Sequence, residues 1–287
     1  MLIIESPKLL RHTVKQWHQK CNRIALIPTM GNLHDGHMAL IDAGKTYADK
    51  VLVSIFINPM QFDQFEDLLK YPRTPRKDYE KLIKKGVDVV FAPKIESIYP
   101  NGLDNQTSVH VPSYITNILE GESRPNHFCG VSTIISKLFN LIQPNMAFFG
   151  EKDFQQLLVI RQLVKDMNYD VEIIGIPTVR DSDGLAFSSR NSLLNASERH
   201  LAIKLNQVLT QLVNQFFEKR NHIDKFDELL ESAKKELVNF GIKPNRLVVR
   251  DAKTLKPLTT SSQKAIILFT VYIGNIRLID NAQIDLI

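Results

Sequence analysis

The sequence predicts an α/β fold, with a parallel-sheet domain over residues 1–177 followed by a smaller α+β domain over residues 178–287. Three observations carry this reading. Short β-branched or apolar runs alternate with longer segments of helical period, as βαβ units around a parallel sheet require. The first of these runs leads straight into a loop of glycines and histidines that opens a helix, the place where open parallel sheets bind ligands. Beyond about Pro177 the alternation stops, and two long amphipathic helices and a hairpin take over. At 287 residues with 44% hydrophobic content, the chain exceeds the usual single-domain size of about 100–150 residues, so a large domain plus a smaller one is expected.

In chain order, strand-like runs occupy 23–28, 50–57, 87–92, 146–149 and 171–176. Between them lie helical stripes. One carries Ala39, Leu40, Ala43 and Tyr47; another carries Tyr79, Leu82 and Ile83. A third runs over 133–141 and halts at Gln143-Pro144-Asn145, and a fourth over 154–167 places Leu157, Leu158, Ile160, Leu163 and Val164 on one face. In the second domain, Leu201, Leu205, Val208, Leu212 and Phe216 mark one amphipathic helix, and Phe226, Leu229, Ala233, Leu237 and Phe240 the other. Strand runs follow at 247–250, 265–273 and 276–279, the last two joined by Gly274-Asn275 as a two-residue hairpin turn.

Composition narrows the classes. Net charge of +5 suits anionic ligands, but the charges lie in mixed-sign segments such as 70–85 and 218–235, so a nucleic-acid partner is not expected. The longest apolar run, 265–273, is too short to span a bilayer, and no basic region precedes an apolar stretch at the N-terminus, so a soluble protein is expected. Two cysteines, Cys21 and Cys129, lack CxxC spacing and point to reduced thiols in the cytoplasm.

The segment Pro28-Thr29-Met30-Gly31-Asn32-Leu33-His34-Asp35-Gly36-His37 reads as a phosphate loop. Its glycines let phosphate approach backbone N–H groups, and His34 and His37 fall one helical turn apart at the positive end of a helix dipole. A surface loop with two ordinary histidines and a zinc pair completed by His127 or Cys129 are the alternatives. Asn58-Pro59-Met60-Gln61-Phe62 closes the second strand, and its amides can fix hydroxyl and carboxylate groups; a generic strand exit is the alternative. Arg124-Pro125-Asn126-His127-Phe128-Cys129-Gly130-Val131 precedes the helix over 133–141. Gly150-Glu151-Lys152-Asp153 sits at a strand end and helix start, where Lys152 can neutralise phosphate and Asp153 can hold a ribose hydroxyl, or where the cluster merely caps the helix. In 183–191, a glycine hinge at Gly184 precedes Ser188, Ser189 and Arg190, a loop able to close over a triphosphate or to N-cap a helix.

Taken together, the motifs P-T-M-G-x-L-H-x-G-H, N-P-x-Q-F, Y-P-R, R-P-x-H-F-x-G-V, F-G-E-K-D-x-Q-Q and D-G-L-A-x-S-S-R-N, in this order from about Ile27 to Asn191, resemble the pantothenate synthetase family. A fainter echo follows in Arg250-Asp251-Ala252 and Arg277-Leu278-Ile279-Asp280-Asn281. The resemblance implies a Rossmann-like domain, a smaller C-terminal domain that covers the site, and membership of the H-x-G-H nucleotidyltransferase group. It implies that Met30, Gly31, Asn32, Leu33, His34, Asp35, Gly36 and His37 bind ATP, with Gly150, Glu151, Lys152, Asp153, Val179, Phe187, Ser188, Ser189 and Arg190 completing that site. His37 would donate a proton, His34 would assist at the phosphates, and Lys152 and Arg190 would supply positive charge. Gln61 and Gln156, with Asn58 beside them, would hold pantoate, and Gln61 would also lie near β-alanine. The implied reaction uses Mg2+ and ATP to form pantoyl-adenylate, which β-alanine converts to pantothenate, in a homodimer.

Three positions depart from the family pattern. Asn32 stands where alanine is usual, Asn126 where glycine is usual, and Phe187 where a smaller or unbranched residue is usual. None removes a proposed catalytic group. Two rival functions remain: a cytidylyl- or adenylyltransferase that stops after nucleotide transfer, against which the Gln61 and Gln156 motifs argue, and an RNA-binding module, for which no concentrated basic stripe is present.

Overall fold

The computed structural model describes residues 1–220 and 222–286. The chain forms two compact units, one of Met1–Glu151 with Gln155–Pro177, the other of Lys152–Phe154 with Thr178–Ile287.

The first unit runs β1 (Leu2–Ile4), α1 (Pro7–Gln19), β2 (Ile24–Thr29), α2 (Asp35–Tyr47), β3 (Lys50–Ile55), α3 (Phe65–Lys70), α4 (Pro75–Lys84) and β4 (Val89–Phe91). Short helices α5 (Ile95–Ile98), α6 (Ser113–Thr116) and α7 (Glu120–Ser123) then lead to α8 (His127–Ile142), β5 (Met146–Gly150), α9 (Phe154–Asp166) and β6 (Glu172–Ile176). The six strands form one sheet in the order β1-β4-β3-β2-β5-β6, every pairing parallel. Central strands buried on both faces read as continuous apolar runs, which is why β2 and β3 are legible as Ile-Ala-Leu-Ile and Val-Leu-Val. The chain travels from β2 outward through β3 and β4, then crosses back to place β5 on the other side of β2. The hydrogen-bonded neighbours β2 and β5 therefore mark the topological switch point, beyond whose carboxyl ends open parallel sheets bind ligands.

On one face of this sheet, Met38, Leu40 and Ile41 of α2 and Leu82 of α4 pack with Ala25, Ile27, Val51, Val53, Val90 and Phe148. Helix α8 is apolar on most sides, with twelve of its sixteen residues buried. Burying each of its Ile, Leu and Phe side chains contributes about 1.5–3 kcal/mol relative to exposure. The stretch 127–131, expected to precede this helix, forms its first turns instead. Gly130 accounts for the misreading, because it is a helix-breaking signal retained for a packing reason. A Cβ there would lie 2.5 Å from the Met60 carbonyl, so only glycine lets α8 approach the 3-10 turn Pro59–Gln61.

The second unit holds α10 (Ala196–Glu218), α11 (Phe226–Asn239), β7 (Lys243–Asp251), β8 (Lys264–Ile273) and β9 (Ile276–Asp285). Its three strands form an antiparallel sheet in chain order, and Ile273 pairs with Ile276 across the two-residue turn Gly274-Asn275. Asn195 caps α10 by accepting from Glu198 N at 2.9 Å, while the Glu198 carboxylate accepts from Asn195 N, a reciprocal capping box. Leu205, Val208, Leu212 and Phe216 of α10 join Phe226, Leu230 and Leu237 of α11 and Ile267, Phe269 and Val271 of β8 in one core, with Phe216 stacked on Phe226 at 4.2 Å between centroids.

Gly130→Ala is expected to destabilise the protein by about 1–3 kcal/mol through overpacking against backbone that cannot swing aside, measured as a lower urea midpoint at unchanged slope. An unchanged midpoint would show that α8 does not need the close approach.

Candidate active site

The loop after β2 is built by hydrogen bonds from beneath. Thr29 donates its hydroxyl to the Ser54 carbonyl at 2.8 Å and accepts from Gly31 N at 3.2 Å. Gly31 and Asn32 then take φ of 81° and 49°, two successive left-handed residues that turn the chain. The carboxylate of Asp78, 2% exposed on α4, spans the turn, with Oδ2 accepting from Asn32 N at 2.9 Å and Oδ1 from Leu33 N at 2.8 Å. Thr74, the N-cap of α4, donates to Asp78 Oδ1 at 3.1 Å and to Asn32 Oδ1 at 3.3 Å. This explains Asn32. Asparagine tolerates left-handed backbone better than alanine does, and its amide is turned toward Thr74.

These bonds revise one expectation. The N–H groups of residues 31–33, expected to face phosphate, are engaged inside the protein. His34 N is engaged as well, since it donates to His37 Nδ1 at 3.2 Å. What the loop presents instead is the first turn of α2, Asp35 and Gly36, with the two imidazoles whose rings lie 4.0 Å apart between centroids. A backbone N–H can only donate, so His37 Nδ1 accepts, and the proton of the neutral ring sits on Nε2. His37 is thereby set up as a hydrogen-bond donor through Nε2.

The second and fourth motifs prove to be one construction. Asn58 and Gln61, at the carboxyl end of β3, are 1% and 8% exposed. The Gln61 carbonyl accepts from Arg124 at 2.8 Å and from His127 Nδ1 at 3.0 Å, and Arg124 is paired with Asp63 at 3.4 Å. Asn58 Nδ2 donates to the Gly130 carbonyl at 3.0 Å and to Gln61 Oε1 at 3.2 Å, while Gln61 Nε2 points at Met30 Sδ, 3.1 Å away. Tyr99 donates to Asn58 Oδ1 at 2.6 Å. Asn126, which stands where glycine is usual, has φ of −99° and needs no glycine. In Tyr71-Pro72-Arg73, Arg73 closes the end of α3 by donating to the Leu68, Leu69 and Tyr71 carbonyls.

After β5, Gly150 and Glu151 are half-buried, and a Cβ on Gly150 would meet open space. The two glutamines that follow have different surroundings. Gln155 is buried and spends its amide on the Ile115 and Ile118 carbonyls and Glu120 N, whereas Gln156 is half-exposed and outside that network.

The remaining candidates belong to the second unit. The Lys152 carbonyl accepts from Asn281 Nδ2 at 2.8 Å, and Asp153 beside it is exposed. Val179 accepts from Phe187 N at 3.0 Å, closing a small hairpin bridged at Arg180 and Ala186. Arg180 forks onto Asp280 at 2.6 and 2.9 Å, and Asp280 is 5% exposed. Arg199 pairs with Asp181 at 2.8 Å and Asp183 at 2.6 Å. The Ser182 N–H and then Arg199 hold the Asp181 carboxyl below its ordinary value. Gly184, expected as a hinge, is the last residue of a hydrogen-bonded turn with φ of 88°, donating to the Asp181 carbonyl at 2.8 Å. A flexible hinge is thus replaced by a stapled turn. Ser188 caps the 3-10 turn Ser189–Leu193 by accepting from Arg190 N at 3.3 Å.

The supporting residues that sequence reasoning missed are Asp78, Thr74, Tyr99, Arg180 and Asn281. Asp78 had a signal: it lies four residues before Leu82 on the buried face of a helix whose start is marked by Thr74-Pro75. Asp78→Ala leaves two N–H groups beneath the loop without their acceptor, at about 1–3 kcal/mol each. The expected outcome is a stability loss of that order with a raised KM for nucleotide, read by urea unfolding and steady-state kinetics; wild-type values for both would remove Asp78 from this role.

Residues 2–283 match the family model described as pantoate-beta-alanine ligase. Among solved structures, a pantothenate synthetase from Thermus thermophilus is 36% identical with a TM-score of 0.88, the match covering 98% of this chain and 99% of that one. A pantoate-beta-alanine ligase from Francisella tularensis, complexed with beta-gamma ATP and beta-alanine, is 36% identical with a TM-score of 0.83 over 98% of this chain and 97% of that one. With its parallel sheet, its smaller antiparallel unit and a family match along nearly its whole length, this chain belongs to the pantoate-beta-alanine ligase family.

Proposed function

We propose that this chain condenses pantoate with β-alanine at the expense of ATP, through a pantoyl-adenylate, releasing AMP and pyrophosphate. The observation that carries the reading is the placement of the two phosphate-binding segments, Met30–His37 and Gly150–Glu151, beyond the adjacent strands β2 and β5 that flank the switch point. A carboxylate attacking the α-phosphate brings two anions together, so donors must be aimed at the charge that develops on the phosphoryl oxygens. His37, with its proton on Nε2, and the first-turn amides of α2 are suited to that task. Lys152 and Arg190 supply fixed positive charge, and His34 assists. Gln61 and Gln156 hold pantoate by its oxygens; Asn58, its side chain spent on Gly130, Gln61 and Tyr99, stands beside them and orders Gln61, and Gln61 borders the β-alanine position. Glu151, Asp153, Val179, Phe187, Ser188 and Ser189 complete the nucleotide site.

Magnesium enters as the counter-ion of ATP. Among the described residues no three histidine, cysteine or acidic side chains gather into a metal site, which fits an ion held mainly by phosphate oxygens and water. Bound there, it neutralises phosphate charge. The family resemblance gives the smaller domain, residues 178–287, the part of a cover that keeps water from the acyl-adenylate. The homodimer rests on the family resemblance. Both cysteines are free, which supports a reducing cytoplasmic setting, and among the described residues no helix is long and apolar enough to cross a membrane.

ATP–pyrophosphate exchange that depends on pantoate, followed by AMP release on adding β-alanine, is the expected behaviour; exchange without pantoate would contradict the reading. His37→Ala is expected to lower the pantoate-dependent rate by about two orders of magnitude, the usual size of a lost transition-state donor. Near-normal exchange in that variant would remove His37 from the chemistry.

A further inference from the structure

We propose that Tyr99 is a positioning residue that locks the Asn58 and Gln61 amides so that Gln61 meets the acid substrate as an N–H donor. The inference rests on the reading that Gln61 holds the acid. Its basis is a chain of donors and acceptors with one permitted direction. The Gly130 carbonyl can only accept, so the Asn58 atom 3.0 Å from it is the amide nitrogen. Asn58 Oδ1 therefore faces Tyr99, and because that oxygen can only accept, the phenol donates at 2.6 Å. Asn58 Nδ2 has a second hydrogen, which goes to Gln61 Oε1 at 3.2 Å. With its oxygen turned to Asn58, Gln61 presents Nε2 on its other side, where Nε2 lies against an acceptor, Met30 Sδ. An acid presents acceptors, so the match is chemical.

The lock is buried. Tyr99, Asn58 and Gln61 are 2%, 1% and 8% exposed, so solvent does not readily replace a lost partner. The ring of Tyr99 is itself fixed, with Phe56 at 6.0 Å between centroids and Lys137 Nζ 5.0 Å above it, donating to the Ile98 carbonyl. Burial first, and then Cys129, pushes the phenol well above its ordinary value, so the hydroxyl keeps its proton across the working pH range. Without that hydroxyl, Asn58 Oδ1 is left buried with no partner, and the Gly130 carbonyl alone still orients the Asn58 amide that aims Gln61.

The test is pantoate-dependent ATP–pyrophosphate exchange in wild type, Tyr99→Phe, Gln61→Ala and the double variant. Tyr99→Phe is expected to raise the pantoate KM about five- to tenfold, the effect of one buried hydrogen bond, and to leave the ATP KM within about twofold. In the Gln61→Ala background the same change should add less than about twofold, because its effect passes through Gln61. Asn58→Asp, which sets oxygens against the Gly130 carbonyl and Gln61 Oε1, should behave likewise, and it serves if Tyr99→Phe does not fold. Equal rises in both KM values, or losses that multiply in the double variant, would overturn the positioning role while leaving Gln61 as the acid's partner. A Gln61→Ala variant with a wild-type pantoate KM would instead overturn the reading of Gln61, and the inference with it.

Discussion

The carboxylate of Asp78 takes the N–H groups of Asn32 and Leu33 on its two oxygens, and the geometry of the nucleotide loop depends on that clamp. Gly31 takes its left-handed conformation freely, but Asn32 beside it sits in sparsely populated backbone space and would otherwise be a costly way to leave a strand. Once the turn is held, α2 starts with His34 as its first flanking residue, and His34 N fixes the ring of His37 through Nδ1. The loop's own amides are consumed in making this shape. What the shape presents is the N-terminus of α2 and an imidazole with a defined tautomer.

A similar division runs through the acid site. Arg124 and His127 meet the Gln61 carbonyl, and Gly130 and Tyr99 meet the Asn58 amide. Gln61 is held by its backbone carbonyl on one side and by its side-chain oxygen on the other. In the second unit Asp280 and Asn281 play the corresponding part, one anchoring Arg180 and the other the Lys152 backbone. That is why Lys152–Phe154 clusters with the C-terminal residues although it follows β5 in the chain.

Much of the fold is legible because its strands are buried on both faces and its helices on one. The runs at 23–28, 50–57 and 171–176 locate β2, β3 and β6 to within a few residues, and Gly274-Asn275 locates the hairpin. What escaped reading has specific causes. β1 is three residues long, too short for a periodic signal, whereas α1 has an amphipathic face that buries Leu10 and Val14 and was passed over in spite of it. Gly130 disguised the first turns of α8, because glycine reads as a breaker when its need is close approach. Asp78 was hidden inside the mixed-sign segment 70–85, where a charged side chain looks solvated unless its helical phase is followed. The candidate site shows the same limit. Residues that could touch ligand stand out by type and spacing, whereas those that aim them are ordinary residues reaching far along the chain, Tyr99 across 41 positions to Asn58 and Asn281 across 129 to Lys152. The faint echo at 277–281 is structural in this sense, since Asp280 and Asn281 are buried and bonded.

The central claim is that the acid's own oxygen attacks the α-phosphate of ATP. Pantoate labelled with 18O in both carboxyl oxygens tests it directly in a single turnover with ATP and β-alanine. Attack by the carboxylate makes a C–O–P bridge, and the amine then breaks the C–O bond, so one label should appear in AMP and the other should stay in the amide carbonyl of pantothenate. Label recovered in orthophosphate, or AMP carrying none, would contradict the acyl-adenylate route.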